Sequence, residues 1–424
     1  MGVLVYWLLL ILGVGVEEQL GLVVVVEGTV AAGVISLSIA AFKDPLNPMV
    51  QIAGYAMVYF AFAFASDGSA LAAASLVAFL AWTGLGVFAG AKLTPLGRPI
   101  KFMYLSPQTL KVALLVVVVG SVLAFSYLVA RLGGVLAFVA QSFRLSLLAR
   151  EQGLEIFFLP GIILVSVTSL WLTYLRTGIL FTAVVVSAGV VAILSFRRAN
   201  VFYLLMALVL YRHYFVRRLR VTTLVPVCLA ILGFMLLIGS IRLTGFGTYR
   251  DPGPLTGLDT TIYEAYTFVL GNRLDYDFLA RSGASLTAGM RFLLPSFLWG
   301  RGDYQTVPDA LSAALYGETG FGTPPTLFGA MLIYLPPAIA PILAVVPGFL
   351  WGNVYGLLRK RERDSGLFLW YLATVLLAFD FFRTGDPFHS AKVAMVLFVT
   401  LIPITFVMRG APSPTADNQS TDQH

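Results

Sequence analysis

The stretch SALAAASLVAFLAWTGLGVFAG, Ser69–Gly90, decides how the chain folds. It carries no charge. As an α-helix rising about 1.5 Å per residue it is about 33 Å long, enough to cross a hydrocarbon core of ~30 Å. Inside lipid no water reaches a bare N–H or C=O, so such a segment closes its own hydrogen bonds as a helix. The same texture recurs along the whole chain. Of 424 residues, 58% are hydrophobic and 12% charged, with a mean hydropathy of +0.88. A soluble domain carries about 25% charge. A chain this apolar has too little polar surface to face water, and lipid is expected to be its main solvent.

Working outward from that stretch, the apolar runs predict twelve membrane helices, at roughly residues 2–16, 20–41, 49–65, 69–90, 111–130, 157–175, 178–195, 199–213, 222–241, 326–357, 366–380 and 393–408. The expected fold is all-α: a polytopic transmembrane helical bundle, one membrane domain over residues 1–410. The N-terminal MGVLVYWLLLILGVGV lacks a basic leader and a small-x-small cleavage site, and reads as a retained first helix. The polar tail APSPTADNQSTDQH, residues 411–424, reads as disordered. The single cysteine, Cys228, lies in an apolar run, which excludes disulfide frameworks and cysteine-based metal sites. The histidines are His213, His389 and His424, too few for a histidine-rich metal centre. No metal, cofactor or nucleic-acid partner is expected.

Lysine and arginine in short connections set the orientation. Three connections are basic: Lys92–Lys111, RHYFVRRLR (Arg212–Arg220) and RKRER (Arg359–Arg363). Alternation of twelve spans puts all three on one side, the cytoplasm, together with both termini. The opposite side receives Arg131–Glu155, a long loop over residues 242–325 between the ninth and tenth helices, and FFRTGDPFHSAK (Phe381–Lys392). A connection of roughly 80 residues inside a compact membrane protein ordinarily carries function. No internal repeat is visible, which argues against a transporter built from inverted halves.

The cations then separate by type. Of 28, six are lysine, and five of these fall inside: Lys43, Lys92, Lys101, Lys111 and Lys360. Lys392 is outside, among twelve outer arginines. Orientation alone is served by either residue and disfavours outer charge altogether. Arginine adds a planar fork that grips phosphate or carboxylate through two bonds and keeps its charge when partly desolvated. The pattern points to a phosphate-bearing or acidic substrate outside. The competing account is that loop arginines pair with loop acids such as Asp251, Asp259, Glu264, Asp275, Asp277, Asp303 and Asp309. It applies less to Arg197 and Arg383, which sit where short connections meet helix ends beside the bilayer.

Several segments, taken in order, resemble one family. DPLNPMVQIAGYAMVYF (Asp44–Phe60) is similar to a Pro-led helix entry. RLGGVLAFV followed by FRLSLLAREQGLEIFF resembles a Gly-Gly, Arg, Gly-aromatic outer segment. SFRRANVFYLLMALVLYRHY (Ser195–Tyr214) resembles a Ser-x-Arg turn before a helix with a basic cytoplasmic end. MRFLLPSFLWGRGDY (Met290–Tyr304) with ETGFGTPPTLFGAMLIYLPP resembles a Pro-x-x-x-Trp element and a Gly-x-x-Pro-x-x-x-Gly helix entry. FFRTGDPF resembles a last outer Arg-x-x-Asp. Together they resemble the Wzy-type oligosaccharide repeat-unit (O-antigen) polymerases. Two positions depart from the pattern: Ser296 stands where arginine often follows the proline, and Ala330 where an acid often follows the glycine.

The resemblance implies a multi-pass protein of the bacterial inner (plasma) membrane. Such enzymes polymerise undecaprenyl-pyrophosphate-linked oligosaccharide units into O-antigen, capsule or exopolysaccharide, without metal, at the outer membrane face. Implied partners are those lipid-linked glycans, the bilayer, a chain-length regulator and a flippase. The lipid pyrophosphate leaves with its charge, so the site needs cations aimed at it and a base for the attacking hydroxyl. The candidate cations are Arg383, Arg197, Arg144 and Arg291, with Arg150, Arg198 and Arg242 behind them. The candidate base is His389, since imidazole exchanges protons near neutral pH; Asp386, Asp380 and Glu318 are the alternatives. Tyr263, Tyr266, Tyr276, Trp299 and Tyr304 offer rings for sugar faces or for a membrane-interface belt. The one-sided apolar stretch 259–270 is expected to lie as an interfacial helix.

Three other functions remain open. An O-antigen ligase uses the same donor with a different acceptor. A metal-dependent lipid-sugar glycosyltransferase would place acidic ligands in a long first outer loop, whereas here that loop is about Glu17–Gln19. A lipid-linked oligosaccharide transporter would carry charge within its spans, where Glu27 is the clearest example.

Overall fold

The computed structural model describes residues 23–60, 70–94, 198–227, 229–231, 233, 260–293, 305–317, 323–360 and 365–395, with positions scattered between 119 and 137. Among the described residues the regular elements are helical and no strand occurs, as the sequence predicts. Leu71–Leu93 and Ala340–Lys360 are long and apolar enough to cross a membrane; Ala32–Phe42 and Val221–Ile231 are shorter apolar helices. The expected spans 2–16, 157–175 and 178–195, most of 111–130 and 393–408, and the tail 411–424 lie outside the described residues.

The chain divides into two compact units. The first comprises Met1–Pro95, Leu219–Lys360 and Thr374–Ala394; the second comprises Leu96–Arg218, Arg361–Ala373 and Met395–His424. The helices in order are α1 (Val23–Phe42), α2 (Pro48–Phe60), α3 (Ala70–Leu93), α4 (Arg198–Tyr211), α5 (Thr260–Asn272), α6 (Tyr276–Arg281), α7 (Leu286–Leu293), α8 (Val307–Tyr316), α9 (Thr326–Tyr334), α10 (Ala340–Leu343), α11 (Val345–Lys360) and α12 (Ser365–Thr384). In the second unit α4 passes into a π-helical turn, Arg212–Val216. There Tyr211 meets Phe368 at 6.5 Å and Tyr214 meets Tyr371 edge-on at 5.7 Å.

The first unit is built on the contact between α3 and α11. On α11, Gly348, Gly352 and Gly356 recur every fourth residue and form one stripe. The stripe lies against the backbone of Thr83, Val87 and Ala91 on α3, while Gly86 and Gly90 return the contact on Val345 and Phe349. A Cβ on Gly356 would lie 2.7 Å from Thr94 Oγ1 and 2.8 Å from the Ala91 carbonyl oxygen. Lipid is as apolar as a leucine, so helices in it hold by close backbone approach rather than by expulsion of water. Residue numbers rise together along both helices, so the two run parallel. Their basic ends therefore coincide, and the Lys360 ammonium donates to the Thr94 carbonyl. Lys43 joins them, because neighbouring Asp44 accepts a 2.7 Å hydrogen bond from the Tyr355 hydroxyl of α11.

The expected single span 326–357 is two pieces. α9 stops at Tyr334 and Leu335 is extended, with φ −132° and ψ 148°. Pro336 lacks an N–H and excludes a helical residue before it, and Pro337 prolongs the break. The long helical run begins at Ala340, and α9, nine residues or about 14 Å long, is too short to cross. It is instead buried along nearly its whole length, with Phe328 stacked on Phe79 of α3 at 4.5 Å. Phe79 precedes Lys92 by thirteen residues of α3, so α9 sits about 20 Å along the axis from the lysine end.

The described part of the long loop, 242–325, is helical too. Thr306 caps α8, its Oγ1 accepting from Asp309 N at 3.3 Å and donating to Asp309 Oδ2 at 2.7 Å. Within the amphipathic stretch 259–270, the described residues from Thr260 onward form a helix, α5. Its apolar face, Ile262, Ala265, Tyr266 and Val269, is at most 1% exposed, so it is covered by protein rather than left for the bilayer surface. The Tyr266 hydroxyl bonds Ser75 Oγ of α3, which makes Tyr266 a core residue and not a sugar platform.

The α3–α11 contact predicts opposite signs for two glycine substitutions. Gly352→Ala pushes a methyl into the Val87 carbonyl and is expected to lower stability by about 1–3 kcal/mol. Gly54→Ala, with nothing within 4 Å of its would-be Cβ, is expected to be neutral or to gain up to ~1 kcal/mol from helix propensity. Thermal unfolding of detergent-purified protein measures both; equal effects would remove the contact from its central role.

Candidate functional site

The site is set by the tetrapeptide Thr384-Gly385-Asp386-Pro387, which ends one helix and starts another. Gly385 takes φ +64° and its N–H bonds the Phe381 carbonyl at 2.9 Å, a left-handed cap that closes α12. Asp386 Oδ1 then accepts from the N–H groups of Phe388 and His389, each at 2.9 Å. Pro387 stands in the first turn of the next helical stretch, 387–395, where its missing N–H costs nothing.

The same turn is wedged between distant parts of the chain. Asp386 is fully buried, and its Oδ2 accepts from Val307 N, the first residue of α8, at 3.1 Å. The backbone of Gly385 abuts the Thr326 carbonyl, where a Cβ would have no room. Gly289 of α7 lies flat on the Phe388 ring. Thr326, β-branched and buried, holds φ +65° at this junction, a strained geometry that costs about 1–3 kcal/mol. Segments far apart in sequence, around residues 289, 307, 326 and 386, thus meet on one turn.

The charged groups flank it. Asp380 lies one turn before Thr384, whose hydroxyl donates to the Asp380 carbonyl at 2.8 Å. Arg383 follows three residues later, on the same side of α12. From the next helix His389 Nε2 comes within 3.9 Å of Asp380 Oδ2, with side chains 43% and 14% exposed. Ser390 Oγ donates to the same carboxylate oxygen at 3.3 Å. The 3.9 Å separation is an ion-pair distance, longer than a hydrogen bond. An imidazole there can take a proton with a carboxylate at hand to balance its charge.

The expected site residues therefore divide. Arg383, Asp386 and His389 all lie on the hairpin formed by the end of α12, this turn and the start of the next helical stretch. Asp386, expected as a candidate base, has its two oxygens taken up by three backbone N–H groups; its geometry is that of an anchor. Arg291 lies in the last turn of α7 and is exposed. It follows Gly289 by two residues, about 200° around the helix, so it faces away from Phe388. Arg198 opens α4 in the second unit. Arg144, Arg150, Arg197 and Arg242, with Glu318, Trp299 and Tyr304, lie outside the described residues.

Pairing between loop arginines and loop acids is not found among the described residues. Arg273, Arg281 and Arg291 are exposed. Asp275 caps α6 through Phe278 N at 3.2 Å, the Asp309 carboxylate accepts from the Thr306 hydroxyl, and Glu264 bonds the Tyr316 hydroxyl. Tyr276 accepts from Leu286 N at 3.0 Å while its ring lies 6.4 Å from that of Tyr334. Ser390 escaped the sequence reading; the one signal for it was its place in the first turn after the Asp-Pro cap. Among the described residues no three of His, Cys, Asp and Glu gather closely enough to hold a metal ion. Comparison with protein-family models, with curated proteins and with solved structures finds no match.

The anchor role of Asp386 is testable. Asp386→Asn keeps an acceptor for one pair of N–H groups but turns an NH2 toward the other donor. It is expected to cost about 1–3 kcal/mol and to expose residues 305–317 to limited proteolysis. Unchanged stability and unchanged cleavage would refute the tie between α8 and the hairpin.

Proposed function

We propose that this chain is a membrane-embedded glycosyltransferase of the Wzy type. It joins undecaprenyl-pyrophosphate-linked oligosaccharide repeat units at the outer face of the bacterial inner membrane. The observation that carries the reading is the grouping of Arg383, Asp380 and His389 on one hairpin, at the end of the first unit away from Lys43, Lys92 and Lys360. In this reading the lysine end faces the cytoplasm, following the usual bias of cations. The chain makes twelve crossings, the tenth being Ala340–Lys360 rather than 326–357, and both termini are cytoplasmic. Residues 242–325 lie outside, and the described helices α7 and α8 among them meet the hairpin at Phe388 and Asp386.

The chemistry follows from the groups present. His389 takes the proton from the acceptor sugar hydroxyl, and Asp380 offsets the positive charge gained. The hydroxyl oxygen bonds to the anomeric carbon of the donor glycan as the bond from that carbon to the pyrophosphate oxygen breaks. The lipid pyrophosphate leaves with the electron pair. Arg383, with a fork suited to two phosphate oxygens, stabilises the charge that develops there. Asp386 does not touch the reacting atoms; it fixes where His389 stands.

Incubation of purified protein with a lipid-pyrophosphate-linked repeat unit is expected to give a ladder of glycans. Arg383→Lys is expected to reduce the rate about 100-fold or more, the scale of removing one donor to a developing anion, and His389→Gln by about 100-fold or more. A product of one transfer to a lipid A core, with no ladder, would point to a ligase. Full activity in both variants would remove the hairpin from the site. Topology is checked in a Cys228→Ser background: a cysteine at position 389 should react with an impermeant maleimide from outside, and one at 92 only after permeabilisation.

A further inference from the structure

At the opposite end of the first unit, four cations surround a ladder of three rings that the proposed reaction does not use. Phe42 of α1 meets Phe88 of α3 at 6.1 Å and Tyr355 of α11 edge-on at 5.6 Å. A cation covers each outer ring: Lys92 Nζ is 5.7 Å from the centre of Phe88, and the Arg359 guanidinium 5.9 Å from that of Tyr355. Lys43, next to Phe42, is exposed, and so is Lys360 beside Arg359. No carboxylate of a described residue stands within ion-pair reach of these four. Asp44, next to Lys43 in sequence, is buried and accepts from Tyr355 and from Leu46 N at 2.9 Å. The positive charge is therefore left for something that is not part of the described chain.

The surface beside the cations is apolar. Leu85, Phe88 and Lys92 share one face of α3, and Leu85 is 52%, Phe88 45% and Leu93 70% exposed. A soluble anion satisfies the cations but makes no use of these side chains. A molecule with an anionic head and hydrocarbon tails satisfies both. We infer that the aromatic ladder Phe42–Phe88–Tyr355, with Lys43, Lys92 and Arg359, is a binding site for the headgroup of an anionic phospholipid, whose acyl chains run along Leu85 and Phe88. Basic clusters between helices at the cytoplasmic boundary suit such headgroups, and the ring faces hold two of the cations in place. The site rests on α3 and α11 crossing the membrane, not on the glycosyl transfer at the other end. Because it joins α1, α3 and α11 at their ends, a bound lipid tightens the helix contact that organises the unit.

The test uses the full chain in detergent with phosphatidylglycerol, phosphatidylcholine or inorganic phosphate added. Thermal unfolding reads stabilisation, and native mass spectrometry reads retained lipid. Phosphatidylglycerol is expected to raise the unfolding temperature and to stay bound as one or two discrete adducts; the other two should do neither. Each of Lys43→Gln, Lys92→Gln and Arg359→Gln is expected to weaken phosphatidylglycerol about fivefold. The triple variant Arg217→Gln, Arg218→Gln, Arg220→Gln, which removes charge from another basic connection, should leave binding unchanged. Equal stabilisation by phosphate would overturn the lipid assignment, and equal loss in the control triple variant would replace a site by diffuse attraction. No difference between phosphatidylglycerol and phosphatidylcholine on the unmodified chain would overturn the proposal even if the variants fail to fold.

Discussion

Everything in the first unit depends on two backbones lying against each other. In water, helices associate largely because apolar side chains escape solvent, and many pairings serve. In lipid that force vanishes, and what distinguishes one pairing from another is how many atoms touch. The stripe Gly348, Gly352, Gly356 presents bare backbone to Thr83, Val87 and Ala91, and Gly86 and Gly90 answer from the other side. Contact of this kind is possible in one register only, since a shift by one residue would bring Trp351 or Phe349 where a glycine must be. Register and direction are thereby set together.

From that register the ends of the unit acquire different chemistry. One end collects Lys43, Lys92, Arg359 and Lys360 around three rings. The other is capped by the short buried helix α9 and by the hairpin of α12, which carries Asp380, Arg383 and His389. The separation is physical before it is biological: parallel helices place like termini together, and basic residues stand in the last turns of α3 and α11 and just past the end of α1.

The hairpin end shows how a polar turn is held among apolar neighbours. Every helix start leaves N–H groups without partners. Asp386 supplies acceptors to two helix starts at once, one its own and one in α8. A single carboxylate so placed fixes the start of α8 relative to His389. Rigid support of that kind is what a reacting group needs from residues around it, and it explains why the acid in the turn is buried while His389 is partly exposed.

Some of this was legible in the residues alone. The all-helical class, the apolar run ending at Lys92, the break in texture around the long loop and the interest of FFRTGDPFHSAK all follow from local properties: hydropathy, charge and turn chemistry act within a few residues. The Pro336-Pro337 break was equally local, yet the run 326–357 reads as continuous because hydropathy does not register a missing N–H. Residues between distant segments were beyond reach. Nothing near Asp386 announces Val307, nothing near Gly289 announces Phe388, and Lys43 shows no tie to Lys92 or Arg359. The glycine stripe on α11 is visible as spacing, but its partner on α3 is not, because a glycine presents no side chain whose chemistry names what it touches. The local sequence determined which segments become helices and where their charges lie; only the tertiary structure decided which of those charges meet, since that depends on where two backbones can approach without a side chain between them.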